Sequence, residues 1–290
     1  MNDVAWRGWN KAELDRQLNQ REHTPEHSQH FSRWAAESAV VRETLPVRTD
    51  LEYGEGPLQK LDYVPPKAPG APLLVFIHGG YWQSLDKGDF TFPAPAFREA
   101  GFAYASINYD LAPQVRIPDM VAQVRAALVW LYKNADDLGF DSERMVVAGH
   151  SAGGHLAVMA LLTDWQEDYG LPQELLYGAA SISGIYDLEP LRNSYQQPVL
   201  QLDEEAVQSS SPLHHIPAAA KRRLPRLFVA VGREETEEFQ YQQRDFVQAW
   251  KTARQKCESL ELPGRNHFSI VDSLADSRHA VFRAIYRLAD

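Results

Sequence analysis

The chain has 290 residues, of which 44% are hydrophobic and 11% aromatic, enough to bury the core of a single domain spanning residues 1–290. Its formal net charge of −10 disfavours a nucleic acid or an anionic membrane as partner, because both require a basic face. We therefore expect a small molecule as partner, and a homodimer is compatible with this composition. A lone cysteine, Cys257, excludes an intramolecular disulfide, and the first residues lack a signal-peptide pattern, so a cytoplasmic protein is expected.

Residues 1–45 are polar and rich in tryptophan, arginine and histidine, and we expect them to form a helical extension. After them, short apolar runs alternate with helical patterns, which predicts a mostly parallel sheet flanked by helices. Helices are predicted where apolar residues recur at helical spacing, over residues 118–134 and 239–253. Strands are predicted over residues 73–77, 103–109, 145–149, 179–183, 227–231 and 257–262.

The third predicted strand runs into a G-x-S-x-G sequence at residues 149–153, and a helical segment follows at once. In this context the motif is typical of the nucleophile elbow of α/β-hydrolases, a strained turn that exposes the serine Oγ at the carboxyl end of the sheet. Ser151 is therefore the candidate nucleophile, and an α/β-hydrolase fold is expected. The alternative is a glycine-rich joint between strand and helix that carries no chemistry.

The first predicted strand, residues 73–77, is followed by the sequence H-G-G-Y-W. In α/β-hydrolases the loop at this position supplies backbone N–H groups that stabilise the oxyanion formed when the serine attacks a carbonyl carbon. We expect the N–H groups of Gly80, Tyr81 and Ala152 to be the donors, and Gly79 to be needed for the turn. The alternative for this loop is a tight turn without a catalytic role.

The base is expected in the loop after the last strand, because α/β-hydrolases order their triad as serine, acid and histidine. His267 follows the strand predicted over residues 257–262 and has this position. Residues 184–223 contain several prolines and no clean period, which predicts an irregular excursion that forms a small lid.

The acid should follow the strand predicted over residues 227–231, where it would accept the imidazole Nδ1 proton. Composition alone does not choose among the four carboxylates of this segment, Glu234, Glu235, Glu237 and Glu238. Asp187, which follows the preceding strand, is a further alternative.

Five ordered motifs give the chain a family resemblance. They are H-G-G-x-W at residues 78–82, G-H-S-A-G-G-H-L-A at 149–157, S-G-I-Y-D-L-E-P-L at 183–191, an alanine followed by S-P within 206–212, and N-H-F at 266–268. With these motifs the chain resembles the kynurenine formamidases, or arylformamidases, of the α/β-hydrolase superfamily, which are related to the hormone-sensitive-lipase-like esterases. The family frame G-x-x-D-S-x-E-F places the acid at Glu235, where this chain departs from the usual aspartate.

The resemblance implies a serine hydrolase that cleaves an aryl formamide such as N-formyl-L-kynurenine through an acyl-enzyme, with no cofactor and no metal. Trp82, Tyr186 and Phe268 lie near the motifs and suit a flat aromatic group, although such residues can equally form the core. An amino-acid substrate would also need a cation for its carboxylate, and Arg116 and Arg192 are the candidates.

Two alternatives remain open. The chain could be a carboxylesterase, or an amide or carbamate hydrolase, that acts on other small aryl substrates, because fold and triad do not fix the substrate. It could also be a catalytically silent homologue that binds a small ligand, although the presence of Ser151 and His267 argues against this.

Overall fold

The structure is a computed structural model that describes residues 5–290; the first four residues of the expected N-terminal extension lie outside this range. Its centre is an eight-stranded sheet with the strand order β1-β2-β4-β3-β5-β6-β7-β8. The strands are β1 (Arg48–Glu52), β2 (Lys60–Val64), β3 (Ala71–Ile77), β4 (Ala103–Ile107), β5 (Phe140–His150), β6 (Gly178–Ile182), β7 (Arg226–Gly232) and β8 (Cys257–Leu262).

Helices connect the strands and cover the sheet. They are α1 (Lys11–Leu18), α2 (Gln20–His23), α3 (His27–Thr44), α4 (Ala94–Glu99), α5 (Ile117–Lys133), α6 (Ala135–Leu138), α7 (Ala152–Leu162), α8 (Trp165–Tyr169), α9 (Glu189–Arg192), α10 (Gln197–Leu200), α11 (Glu204–Ser210), α12 (Glu237–Thr252) and α13 (Ala280–Tyr286). Short 3₁₀ helices lie at Lys87–Phe90, Pro212–His214 and Val271–Ala275. Within residues 5–290, no helix combines the length and apolar character that crossing a bilayer requires.

Strands β3 to β8 pair in parallel, whereas β1 and β2 pair antiparallel at one edge. The predicted mostly parallel sheet flanked by helices is thereby confirmed. The strand order reverses at β3, which has β4 on one side and β5 on the other. Such a reversal leaves a crevice at the carboxyl ends of the strands, which is where open α/β sheets bind their ligands.

Successive side chains of β3 point to opposite faces of the sheet and contribute to two separate hydrophobic cores. Leu73, Val75 and Ile77 face the core that includes residues of α5, α7 and α12. Leu74 and Phe76 face the other core, which includes residues of α3, α4 and α13. Both faces of the central strand are buried, and this accounts for its continuous apolar sequence.

Strands β1 and β2 were not predicted from the sequence. The β1 side chains are mostly exposed, and β2 carries the charged residue Asp62 at a buried position. Lys87 Nζ lies 2.7 Å from Asp62 Oδ1 and compensates the buried carboxylate. A buried charge with a partner does not produce the apolar pattern from which strands are read.

The N-terminal segment 1–45 and the excursion 184–223 both contain helices, which are short except for α3 with its 18 residues. In the described part of the segment 1–45 these are α1, α2 and α3, and in the excursion 184–223 they are α9, α10 and α11. The two regions meet where Asp15 Oδ1 accepts a hydrogen bond of 2.8 Å from the backbone N–H of Tyr195. The assignment of these regions as an extension and a lid stays a prediction.

Candidate active site

Ser151 lies between the end of β5 and the start of α7. Its backbone has φ +57° and ψ −120°, a conformation that is strained for a residue with a side chain. The Ser151 N–H donates to the carbonyl oxygen of Ile182 at 2.8 Å, which anchors the turn to the neighbouring strand. Strand, strained turn and helix together are the geometry that the sequence motif predicts for a nucleophile elbow.

The loop after β3 runs directly against this elbow. A Cβ atom placed on Gly79 would lie 3.0 Å from Ser151 Cβ and 2.8 Å from the His150 carbonyl oxygen, so this close approach requires glycine. The next residues, Gly80, Tyr81 and Trp82, all have positive φ. The loop thus turns sharply beside the Ser151 side chain.

This turn leaves backbone donors free. In the part of the chain that the structure describes, the N–H groups of Gly80 and Tyr81 have no protein acceptor, and neither has that of Ala152 at the start of α7. The Tyr81 hydroxyl donates to the carbonyl oxygen of Leu18 in α1, which fixes the outer side of the loop. Unpaired N–H groups beside a nucleophile are what an oxyanion requires.

Glu235 and His267 form a buried pair. Glu235 Oε2 lies 2.7 Å from His267 Nδ1, and both side chains are almost completely buried. The other carboxylate oxygen, Oε1, accepts hydrogen bonds from Ser183 Oγ at 2.6 Å and from the Gly232 N–H at 2.7 Å. A carboxylate held in this way selects the tautomer with the proton on His267 Nδ1, so that Nε2 keeps its lone pair.

The other predicted carboxylates have different surroundings. Glu234 and Glu237 are exposed, whereas Glu238 is buried and pairs with Arg7 at 3.1 Å. Burial raises the pKa of Glu238 to about 6. Asp187 accepts a hydrogen bond from the first residue of α9. Among these candidates, Glu235 is the one in contact with His267 in residues 5–290.

His150 connects the elbow to the loop of His267. Its ring centroid lies 4.6 Å from that of His267, and its Nε2 donates to the His267 carbonyl oxygen at 2.7 Å. The edge of the Phe239 ring packs against the other side of His267, with the centroids 4.7 Å apart. Ser151 and His267 thus lie near each other, although no hydrogen bond between them occurs in the described structure; such bonds often tighten only when substrate is bound.

Three further imidazoles around Ser151 are buried. Burial lowers the pKa of His78, and it lowers that of His155 to about 4. At His150, burial and then the neighbouring His267 lower the pKa well below its usual value. Each of these rings has one nitrogen without a partner in residues 5–290, as expected for a neutral imidazole. These three imidazoles therefore contribute little positive charge to the surroundings of Ser151.

The aromatic residues predicted to bind substrate are all buried. The edge of Trp82 meets His155 at 5.1 Å, Tyr186 stacks on Phe246 at 4.1 Å, and Phe268 meets Phe31 at 5.4 Å. These contacts belong to the core that surrounds the loops. A direct role in substrate binding stays a prediction for Trp82, Tyr186 and Phe268.

Helices α1 and α2, within residues 10–23, contact two loops at the carboxyl edge of the sheet, and we call this segment the N-terminal cover. It contacts the loop after β7, where Gln20 Nε2 donates to Thr236 Oγ1 at 2.6 Å, and the loop after β3, where Leu18 accepts from Tyr81. The sequence did not predict this arrangement, because the cover is polar and its contacts are distant along the chain. It also gave no role to Ser183 and Gly232, although Ser183 begins one of the family motifs.

Within residues 5–290 no group of three or more His, Cys, Asp or Glu side chains is arranged to hold a metal ion. The carboxyl edge of the sheet brings together a strained serine, free N–H groups and a carboxylate–imidazole pair. This combination is suited to acyl transfer by a nucleophilic serine.

Known proteins share this architecture. The BD-FAE family model matches residues 61–182. Kynurenine formamidase from Salmo salar is 31% identical over 300 residues, which cover 98% of both chains. Esterase LipQ from Mycobacterium tuberculosis is 28% identical over 241 residues, which cover 76% of this chain and 56% of LipQ. The crystal structure of a provisionally named thioesterase from Silicibacter sp. tm1040 superposes with a TM-score of 0.82 at 29% identity, covering 94% of this chain and 98% of that one.

The fold and these similarities define an α/β-hydrolase and an enzyme of the hydrolase class. The predicted α/β-hydrolase fold is confirmed. More narrowly, the chain belongs to the kynurenine formamidase family, as the five sequence motifs indicated.

Proposed function

We propose that the protein hydrolyses the formamide bond of an N-formyl arylamine, with N-formyl-L-kynurenine as the substrate and kynurenine and formate as the products. The similarity to a kynurenine formamidase over 98% of both chains carries the proposal. The buried Glu235–His267 pair beside the Ser151 elbow supports it, because it supplies the base that a serine nucleophile needs.

In the proposed reaction, His267 Nε2 takes the proton of Ser151 Oγ as the oxygen attacks the formyl carbon. The N–H groups of Gly80, Tyr81 and Ala152 stabilise the oxyanion. The C–N bond then breaks, His267 returns its proton to the arylamine nitrogen, and the formyl group stays on Ser151. These steps need neither a metal ion nor an organic cofactor.

Water then completes the cycle. His267 Nε2 removes a proton from a water molecule that attacks the formyl-enzyme, and the same proton returns to Ser151 Oγ as formate leaves. Glu235 stabilises the imidazolium form of His267 in both halves of the cycle, and Ser183 holds Glu235 in place. The acid is a glutamate here, and its longer side chain reaches His267 from the turn after β7.

The similarity to esterase LipQ favours a second candidate function, carboxylic ester hydrolysis, by the same triad. We also infer that the protein acts on a small molecule, as its relatives' names indicate. A cytoplasmic location is inferred because its single cysteine, Cys257, is free. A homodimer stays a prediction.

The test is to compare kcat/KM for N-formyl-L-kynurenine, p-nitrophenyl acetate and an aryl carbamate, with Ser151→Ala as control. We expect a value of about 10⁴ M⁻¹s⁻¹ or more for the formyl substrate and much less for the others. Turnover of the ester or carbamate without the formamide would move the assignment to a general esterase or carbamate hydrolase. Failure of the folded wild type to react with a fluorophosphonate probe would favour the catalytically silent homologue.

A further inference from the structure

The protein has a net charge of −10, which repels a substrate that carries a carboxylate. Binding such a substrate therefore requires a positively charged side chain close to the active site. The two arginines considered from the sequence are already engaged with carboxylates. Arg116 lies 2.7 Å from Asp203, and Arg192 lies 2.8 Å from Glu189. Each has its charge compensated within the protein, which makes both poor partners for a substrate anion.

Arg21, on helix α2 of the N-terminal cover, has a different environment. One of its guanidinium nitrogens donates to Ser84 Oγ at 2.8 Å. Ser84 in turn donates to the Gly80 carbonyl oxygen at 3.0 Å, so Arg21 reaches the rim of the loop with the free N–H groups.

The same guanidinium also faces the loop of the base. Its central carbon lies 5.5 Å from the Phe31 ring, and Phe31 packs edge to face against Phe268, the residue after His267. Tyr195 of the excursion lies nearby: burial raises the pKa of Tyr195, and the charge of Arg21 is among the smaller effects that lower it. Arg21 is thus bordered by the loop after β3, by Phe31 of α3 and by the excursion, and Phe31 links it to the loop after β8.

The charge of Arg21 has no counter-ion in the protein. Among residues 5–290, no carboxylate oxygen lies within 4.0 Å of its guanidinium, although Arg16 on the neighbouring helix is paired with Glu13. Arg21 is exposed, and Ser84 uses one of its five N–H donors. The remaining donors form a planar fork that matches a carboxylate.

We propose that Arg21 is a specificity-determining residue that binds the carboxylate of the substrate at the mouth of the active site. The assignment rests on the proposed function in taking an amino-acid aryl formamide as the substrate. In such a molecule the formyl group and the carboxylate lie at opposite ends, with the aryl ring and the amino-acid chain between them. A cation at the rim therefore suits a substrate whose formyl group reaches Ser151.

The first experiment compares two aryl formamides, N-formyl-L-kynurenine and the analogue in which hydrogen replaces its carboxylate. For Arg21→Gln we expect kcat/KM to fall roughly 10- to 100-fold with the first substrate, the range for loss of a charge-assisted hydrogen bond. The loss should be mostly in KM, because this contact is the same in the ground and transition states. The analogue should change by less than about twofold.

Two variants serve as controls. Arg21→Lys keeps the charge without the fork and should recover part of the lost activity. Arg33→Gln removes the same charge from the next helix, α3, where Arg33 is paired with Asp272, and should leave both substrates unaffected. Equal losses with both formamides in Arg21→Gln would mean that Arg21 only supports the loop, and no loss with either would overturn the proposal directly.

A second readout is independent of formamide turnover. L-Kynurenine should slow the labelling of Ser151 by a fluorophosphonate probe in the wild type and protect much less in Arg21→Gln. If the wild type cleaves neither formamide but this Arg21-dependent protection persists, the proposed function fails and the carboxylate site stands. Equal protection in both proteins, or none in either, would overturn the site.

Discussion

The loop that carries Glu235 and the loop that carries Gly80 lie at the same sheet edge, but they use their polar groups in opposite ways. We call the first group the acid half, which comprises Ser183, Gly232, Glu235 and His267. The second is the nucleophile half, which comprises Gly80, Tyr81, Ser151 and Ala152. In the acid half both carboxylate oxygens accept hydrogen bonds, whereas in the nucleophile half the N–H groups of the loop have no acceptor in residues 5–290.

The difference follows from when each charge exists. The Glu235 carboxylate is buried throughout the cycle, so it needs permanent partners. The oxyanion exists only during the reaction, and donors already paired with the protein could not stabilise it. In the nucleophile half the fold instead keeps the donors unpaired by holding the backbone of Gly80, Tyr81 and Ser151 at positive φ.

The largest expected effect on activity comes from a substitution in the acid half. Glu235→Gln keeps the shape of the side chain but removes the charge, and we expect kcat to fall about 10⁴-fold, as for other triad acids. Glu234→Gln and Glu237→Gln change exposed neighbours and should have mild effects on the same kinetics. Equal, mild effects of all three variants would exclude Glu235 as the acid.

The second prediction concerns a substitution in the loop of the nucleophile half. A Cβ on Gly80, where φ is +102°, would lie 2.1 Å from the Ser84 carbonyl oxygen, so Gly80→Ala must shift the loop. We expect a loss of about 10²- to 10³-fold in kcat, the size reported by removing one oxyanion donor. Gly101→Ala is the matched control, since Gly101 has φ +93° but open space at its Cβ position. It should lower stability without changing kcat; equal kcat in both variants would contradict a role for this loop.

A smaller effect concerns the support of the acid. Ser183→Ala removes one hydrogen bond to a buried carboxylate, and we expect kcat to fall roughly 10- to 100-fold. The measurement is a double-mutant cycle with Glu235→Gln. If Ser183 acts through Glu235, its removal should cost little in the Glu235→Gln background. Additive losses would show that Ser183 acts independently of the acid.

The last expected effect is on stability rather than on turnover. Burial lowers the pKa of His155 from 6.5 to about 4, so the unfolded chain binds more protons than the folded protein between these values. The contribution of neutral His155 to the free energy of unfolding is complete above pH 6.5. It decreases by about 3 kcal/mol as the pH falls towards 4.

The measurement is the free energy of unfolding from denaturant titrations at pH 7 and pH 4.5. His155→Gln can still donate to the Ser210 carbonyl oxygen and should show a shallower decrease than the wild type. Glu238, with its raised pKa, acts in the opposite direction, so the comparison is between the two proteins. An unchanged decrease would show that His155 is not the group responsible.

The sequence predicts the parallel strands of the sheet, including the edge strand β8, and misses the two antiparallel strands at the opposite edge. Strands β3, β5, β7 and β8 include the apolar runs that were predicted, whereas β4 ends at Ile107 and β6 at Ile182, before the predicted ends at residues 109 and 183. Helices α5 and α12 show the expected spacing. Strand β1 was not predicted because its side chains are mostly exposed. Strand β2 was not predicted because it contains Asp62, whose burial depends on Lys87. That compensation joins residues 25 positions apart, beyond the reach of a periodicity argument.

Within the site, chain position predicts Ser151 and His267 as candidates, because strand ends meet at one sheet edge. Composition alone does not choose among four neighbouring glutamates, since the choice depends on which side chain of a tight turn points towards His267. The environment of Arg21 was equally hidden, because it reaches Ser84 across 63 positions of the chain. Such contacts are fixed by tertiary packing rather than by local pattern.

The N-terminal cover also affects the order in which the enzyme becomes complete. Gln20 donates to Thr236, which lies 216 positions later in the chain. During synthesis the cover therefore emerges long before its docking partner exists, and contacts of such separation form late in folding. A nascent chain that has reached Ser151 still lacks Glu235, His267 and the docked cover, so by the proposed mechanism an unfinished polypeptide has no acid and no base for its serine.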